Sequence, residues 1–121
     1  MSDQLTRDGV VAATIPSEAE LNRQAYRELL DDLHRRRKAA RAGGSESARR
    51  KHRERGKMLA RERIDALLDP GSPFLEFADL AGEGLYEGVP PGAGMITGVG
   101  TIAGRACMII ANDATVKGGT Y

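Results

Sequence analysis

The sequence predicts a mixed α/β chain in which helices come first and strands follow. Three observations carry that reading. Up to about residue 70, apolar residues recur at helical spacing among many charges. From Phe74 onward the period shortens to that of strands and glycine becomes frequent. Aromatic residues make up only 4% of the 121 residues and there is no Trp, so the strand-forming part is short of large side chains. Backbone ordering costs ~1–2 kcal/mol per residue and must be offset by apolar burial. The chain alone is therefore expected to fold poorly and to associate through an exposed strand edge.

Residues 1–16 read as a flexible leader without a clear period. Ser17-Glu18-Ala19-Glu20 fits a capping box and opens a first helix, with Glu20 placed to reach back to the Ser17 amide. Leu21, Ala25, Leu29 and Leu33 form one apolar face, and Ala42-Gly43-Gly44 supplies a breaker after Arg41. Ser45 caps a second helix that runs to Arg55 and ends at Gly56. Its few apolar residues place it on a surface or against an anionic partner. A third helix carries Leu59, Arg63, Ile64, Leu67 and Leu68, and Asp69-Pro70-Gly71-Ser72-Pro73 stops it. Residues 17–70 thus make one charged helical segment, and 71–121 a strand-forming one.

In that second segment Phe74-Leu75-Glu76-Phe77 reads as a short strand and Gly82 to Gly94 as a loop. Gly94–Ile102 reads as a strand, Ala103-Gly104 as a tight turn, and Arg105–Ala111 as the antiparallel partner. The last run is apolar on both faces, which predicts cover on both sides. Nothing in these residues is expected to supply it, and a hairpin alone is marginal.

Charge is unevenly placed. The formal net charge is +1, yet His34 to Arg63 holds thirteen Lys and Arg against three acids, a local excess of +10. Such a field attracts polyanions without naming one. Salt-bridged helix surface, nucleic acid, an acidic partner and an anionic cofactor such as the phosphates of coenzyme A all fit it. Nucleic acid fits least well, since no aromatics interleave with the bases. Cys107 is alone, which excludes an intrachain disulfide and points to a reducing compartment. It reads as a small buried hydrophobe. No apolar run approaches the ~20 residues of a membrane span. The start lacks the order of a secretory signal, and the expected location is cytoplasmic.

Gly98-Val99-Gly100-Thr101-Ile102-Ala103 imitates a dinucleotide fingerprint, but the glycines lie inside a strand and another strand follows. Lys117-Gly118-Gly119-Thr120 has the residue types of a phosphate loop in the wrong order. His34, His52 and Cys107 share no ligand spacing, so no metal site is assigned. Scattered carboxylates read as helix-surface charges. The segment Asn112 to Tyr121 is different, because a strand runs into Asn112-Asp113 and, five residues later, a Gly-Gly pair. Glycine lets backbone amides approach a ligand and stabilise negative charge, although a plain turn fits equally.

Two blocks resemble the entry segment of carboxyltransferase (beta) subunits of biotin-dependent acyl-CoA carboxylases. They are Arg53-Glu54-Arg55-Gly56-Lys57-Met58-Leu59-Ala60-Arg61-Glu62-Arg63-Ile64-Asp65 and Leu67-Leu68-Asp69-Pro70-Gly71-Ser72-Pro73-Phe74-Leu75-Glu76. Ile96-Thr97-Gly98-Val99-Gly100 matches too. Asn112-Asp113-Ala114-Thr115-Val116-Lys117-Gly118-Gly119-Thr120-Tyr121 is most similar to the methylcrotonyl-CoA carboxylase branch. The resemblance covers about residues 20–121, and Ala60 stands where the family has proline. It implies an incomplete crotonase-type ββα fold, with 71–121 as the truncated start of the amino-terminal crotonase-like domain. It further implies carboxyl transfer from carboxybiotin to an acyl-CoA, with 3-methylcrotonyl-CoA the expected substrate. Biotin would sit on a partner subunit or domain. The partners implied are a biotin carboxylase/biotin carrier subunit and other copies of the full-length chain, with no nucleic acid or membrane. Substrate contact is carried onto Val116, Lys117, Gly118 and Gly119. No catalytic residue is assigned, because the oxyanion holes of the family are expected beyond Tyr121 and the isolated chain is expected to be inactive. The alternative is a small non-enzymatic protein that binds nucleic acid or an acidic partner through its basic helices.

Overall fold

The computed structural model describes residues 13–120, so residues 1–12 of the expected leader lie outside the described residues. Two compact units are present, Met1–Asp31 and Asp32–Tyr121. Helix α1 (Glu18–Ala42) contributes to both.

In the first unit the expected capping box forms. The Ser17 amide and hydroxyl both donate to Glu20 Oε2, at 2.7 and 2.8 Å, and the Glu20 amide donates back to Ser17 Oγ at 3.3 Å. These bonds, led by the one from the Ser17 backbone, hold the Glu20 carboxyl below the usual glutamate range. The apolar stripe is real but uncovered: Leu21 is 52% and Leu29 69% exposed. Ala40 is the residue that α1 buries.

The second unit holds α2 (Glu46–Glu54), α3 (Ala60–Leu67) and strands β1 (Phe74–Phe77), β2 (Met95–Ile102) and β3 (Arg105–Asn112). Ser45 caps α2 through a bond from the Ala48 amide, and Gly56 leaves the helix at φ +71°. At the start of α3 the Glu62 carboxylate accepts from the Leu59 amide at 2.8 Å. Ala60 is the first residue of that helix, a position where proline is also favoured. Here the alanine is buried in the core.

The strands form one antiparallel sheet in the order β1-β2-β3, so the expected hairpin gains a third strand. Ala103 and Gly104 turn the hairpin with φ +49° and +75°, the left-handed pair that suits the strand twist. Asp69, just past α3, offsets the strain at Ala103. Its carboxylate accepts from the Ala103 and Gly104 amides at 2.7 and 2.8 Å.

α3 packs Ala60, Ile64 and Leu68 against Ile96 and Ile109, with Phe74, Ile102 and Ala111 at the margin. Full burial of such a side chain stabilises by ~1.5–3 kcal/mol. This corrects the expectation that nothing within the chain covers β3, because α3 covers one face. The other face stays open, with Leu75 69%, Met108 61% and Ile110 67% exposed. Cys107 is half-buried, not buried: Leu68 packs onto its cross-strand partner Gly100 and leaves the thiol partly open. The glycines of β2 serve packing. A Cβ on Gly98 would lie 2.5 Å from the Phe74 ring, and one on Gly100 would overlap Leu68 Cδ2. They admit a helix and a ring, not a pyrophosphate.

Candidate functional site

The segment that follows β3 is built on backbone conformations that side chains resist. Lys117, Gly118 and Gly119 have φ of +44°, +66° and +85° in succession. Glycine removes the steric cost at the second and third positions, and Lys117 bears it. Hydrogen bonds fix the result. Asn112 Nδ2 donates to the Gly119 carbonyl at 2.8 Å, and the Gly119 and Thr120 amides donate to the Val116 and Lys117 carbonyls. The Asp113 amide donates to the Gly94 carbonyl at 2.7 Å, which ties the loop to the start of β2.

Val116 is 5% exposed and packs over Gly94, where a Cβ would come within 3.2 Å of its own. Lys117 and Gly118 are exposed and Gly119 is half-buried. Beside them opens a cavity of about 240 Å³ whose walls include Tyr86, Val89, Met95, Val116, Lys117 and Thr120. The structure therefore brings two of the four expected contact residues, Val116 and Lys117, onto one cavity. Gly118 and Gly119 shape the loop beside it. The lining is largely apolar, with the Lys117 ammonium as its charge. Such a site can hold a small apolar group next to an anion. Lys117, Thr120 and the Tyr86 hydroxyl are the polar side chains on this wall.

Three features near the loop are not apparent from the sequence. Thr115 is 7% exposed, and its hydroxyl accepts from the Gly44 amide at 3.0 Å while donating to Asp113 Oδ1 at 2.6 Å. Gly43 and Gly44 act as more than a helix breaker, since Cβ atoms there would run into Asp113 and Thr115. The third is ionic and joins α3 to β1. Arg61 of α3 grips Glu76 of β1 with two parallel bonds of 2.8 Å, and Arg41 lies 3.7 Å from the same carboxylate. The Glu76 side chain is 5% exposed, so this acid is no surface charge. Strand alternation was the available signal: Phe74 and Glu76 share the face that meets α3. Arg37 Nε donates to the largely buried Asp79 at 2.8 Å, and that bond raises the Arg37 pKa. Glu76, Asp79 and Asp113 border an internal void of about 20 Å³, space for no more than a water molecule.

Seven of the thirteen bases between His34 and Arg63 are paired with acids among the described residues. Arg35 and Arg36 meet Asp32, Arg36 also meets Glu83, Arg50 meets Glu54, and Arg53 meets Glu62. With Arg37, Arg41 and Arg61 already held, Asp32, Glu76, Asp79 and Glu83 lower the local excess from +10 to +6, so the segment stays basic. No cluster of His, Cys, Asp and Glu among the described residues could hold a metal ion, and no described helix is long and apolar enough to cross a membrane.

Known proteins share this arrangement. The carboxyl transferase domain family matches residues 51–121. The biotin-dependent 3-methylcrotonyl-coenzyme A carboxylase beta1 subunit of Mycobacterium tuberculosis is 59% identical over 96 residues, which cover 79% of this chain and 18% of that protein. The mitochondrial methylcrotonoyl-CoA carboxylase beta chain of Arabidopsis thaliana is 48% identical over 120 residues, covering 93% of this chain and 20% of the relative. The chain thus spans about a fifth of the length of these relatives. Among solved structures, transcarboxylase 12S with methylmalonyl-coenzyme A and methylmalonic acid bound superposes with a TM-score of 0.67. Its sequence identity is 33%, over 91% of this chain and 20% of that one. The helices and three strands described above are the opening elements of the crotonase-type fold of such proteins. The chain belongs to the carboxyl transferase domain family, the family of the beta subunits of biotin-dependent acyl-CoA carboxylases.

Proposed function

We propose that this chain supplies part of the acyl-CoA side of a carboxyltransferase, with 3-methylcrotonyl-CoA as the acceptor. One observation carries the reading. The rigid Val116–Gly119 loop borders an apolar cavity of about 240 Å³ with a lysine on its wall. That combination suits a short branched acyl group attached to an anionic carrier. The 59% identity to a 3-methylcrotonyl-coenzyme A carboxylase subunit favours this acyl group over propionyl or acetyl.

In the reaction the acceptor carbon of the acyl-CoA would exchange a proton for the carboxyl group. Biotin supplies the activated carboxyl group and is assigned to a partner subunit or domain. The polar groups on the cavity described here, Lys117, Thr120 and the Tyr86 hydroxyl, fit one anion-bearing acyl carrier better than a ureido ring. Val116 packs against the acyl group, Lys117 attracts the carrier's negative charge, and Gly118 and Gly119 keep the loop close without side chains. Domain boundaries follow the same reading, with a charged helical segment at 17–70 and the crotonase-like domain beginning at 71. The proposed setting is a cytoplasmic homo-oligomer that works with a biotin carboxylase/biotin carrier subunit.

The test is carboxyl transfer by the complete carboxylase carrying this sequence, with 3-methylcrotonyl-CoA, propionyl-CoA and acetyl-CoA compared at equal concentration. A kcat/KM at least tenfold higher for 3-methylcrotonyl-CoA is expected. Equal or faster turnover of propionyl-CoA overturns the substrate assignment. The 121-residue chain alone is expected to transfer nothing, and any turnover by it would contradict the division of labour proposed here.

A further inference from the structure

We propose that the Gly43–Gly44 junction between α1 and α2 is a positioning latch that sets the Asp113–Gly119 loop and thereby tunes affinity for acyl-CoA. The proposal rests on the reading of Val116–Gly119 as the acyl-CoA contact.

The junction has little freedom of its own. α1 ends at Ala42, Gly43 turns away at φ +74°, and Ser45 already caps α2. Two residues therefore join two helices, and the backbone of the second meets a loop 71 positions downstream. At Gly44 backbone approaches backbone, and at Gly43 backbone approaches the Asp113 side chain. A Cβ on Gly44 would overlap the Thr115 carbonyl, and one on Gly43 would overlap the Asp113 carboxylate. The polar relay has a fixed direction. The Gly44 amide donates to Thr115 Oγ1, that hydroxyl donates to Asp113 Oδ1, and the Thr115 amide donates to the same oxygen at 2.9 Å. Val116 follows directly and is buried, so a displacement at Thr115 passes to Lys117 and the cavity wall without slack. At its far end Gly119 is held by Asn112. The loop is clamped at both ends, and the Thr115 end is held by the helical segment.

Gly44 offers a clean probe. Its φ lies outside the left-handed region, so alanine there strains no dihedral and acts only by pushing on Thr115. In the complete carboxylase, Gly44→Ala is expected to raise KM for the acyl-CoA at least tenfold and change kcat less than threefold. The apparent KM for the carboxybiotin donor should stay within twofold. Thr115→Val, which keeps the volume and loses the hydroxyl, should raise the acyl-CoA KM about fivefold, by the loss of the hydrogen bonds to Gly44 and Asp113. Thr115→Ser should restore it to within twofold. Gly56→Asn is the control, because a Cβ at Gly56 meets nothing within 4 Å and asparagine tolerates its left-handed backbone. It should leave KM unchanged.

A folded Gly44→Ala enzyme with acyl-CoA KM within twofold of the parent overturns the latch. So does a parallel fall of kcat and thermal midpoint in Thr115→Val that serine fails to rescue, which would make the contact merely structural. Should Gly44→Ala fail to assemble, the Thr115 pair decides alone. Lys117→Ala separates the two levels of inference. If it raises KM while Gly44→Ala and Thr115→Val do not, the latch fails and the loop assignment stands. If Lys117→Ala also leaves KM unchanged, the loop assignment fails and takes the latch with it.

Discussion

The two faces of the three-stranded sheet carry similar residues and have opposite surroundings. Ile96 and Ile109 lie on the face that α3 covers and are 5% and 6% exposed. Leu75, Met108 and Ile110 belong to the other face, and each is more than 60% exposed. Residue type therefore does not distinguish the faces. What distinguishes them is what sits opposite: β2 offers Gly98 and Gly100 to the helix side, where Phe74 and Leu68 come so close that a Cβ could not fit. A face made for intimate packing announces itself by what it omits.

The comparison breaks most decisively at Ile64. Truncation to alanine removes a 4% exposed side chain from the centre of the covered face and should destabilise the chain by about 2–5 kcal/mol in urea unfolding. Ile110→Thr on the open face should change stability by less than about 0.5 kcal/mol. Similar losses from the two would mean that the faces are equally covered in solution. Next comes Arg61→Met, which leaves Glu76 buried with only Arg41 at 3.7 Å. A loss of about 3 kcal/mol is expected, and the double change with Glu76→Leu should recover most of it. A smaller effect belongs to Asp69→Ala at the hairpin tip, where two amides lose a partner. About 1 kcal/mol and weakened Gly98–Ile109 cross-strand contacts in NMR spectra should be seen.

The smallest effect lies in the first unit, at Glu20. Its carboxyl titrates lower in the folded helix than in the unfolded chain. The stabilisation is therefore complete above the unfolded value of about 4.3 and disappears as pH falls through the folded value. Far-UV circular dichroism should show a slight loss of helix over that range, absent in Glu20→Gln. Equal loss in both would assign the titration to another group.

The three helices, the hairpin and the short first strand were legible because each is signalled locally, by Ser17-Glu18-Ala19-Glu20, Ser45, Asp69-Pro70 and Ala103-Gly104. The cavity loop was legible only as a motif. Its anchors were not, because Gly44 and Thr115 are joined across the chain and a glycine pair after a helix reads first as a stop. The burial of Glu76 was not legible for a related reason: a carboxylate shows its burial only through its partner, and Arg61 lies on a different element. Half-exposed Cys107 shows the converse, since apolar composition does not reveal that Leu68 leaves its thiol partly open.

Met108 turns the open face into its own reporter. Its thioether lies 61% exposed among Leu75 and Ile110, so dilute peroxide should convert it to the sulfoxide readily. Any layer that settles over this face, from the same polypeptide or another, would shield that sulfur. The share of one tryptic peptide that escapes the sixteen-dalton mass increment would then count the fraction of molecules whose sheet has found its cover.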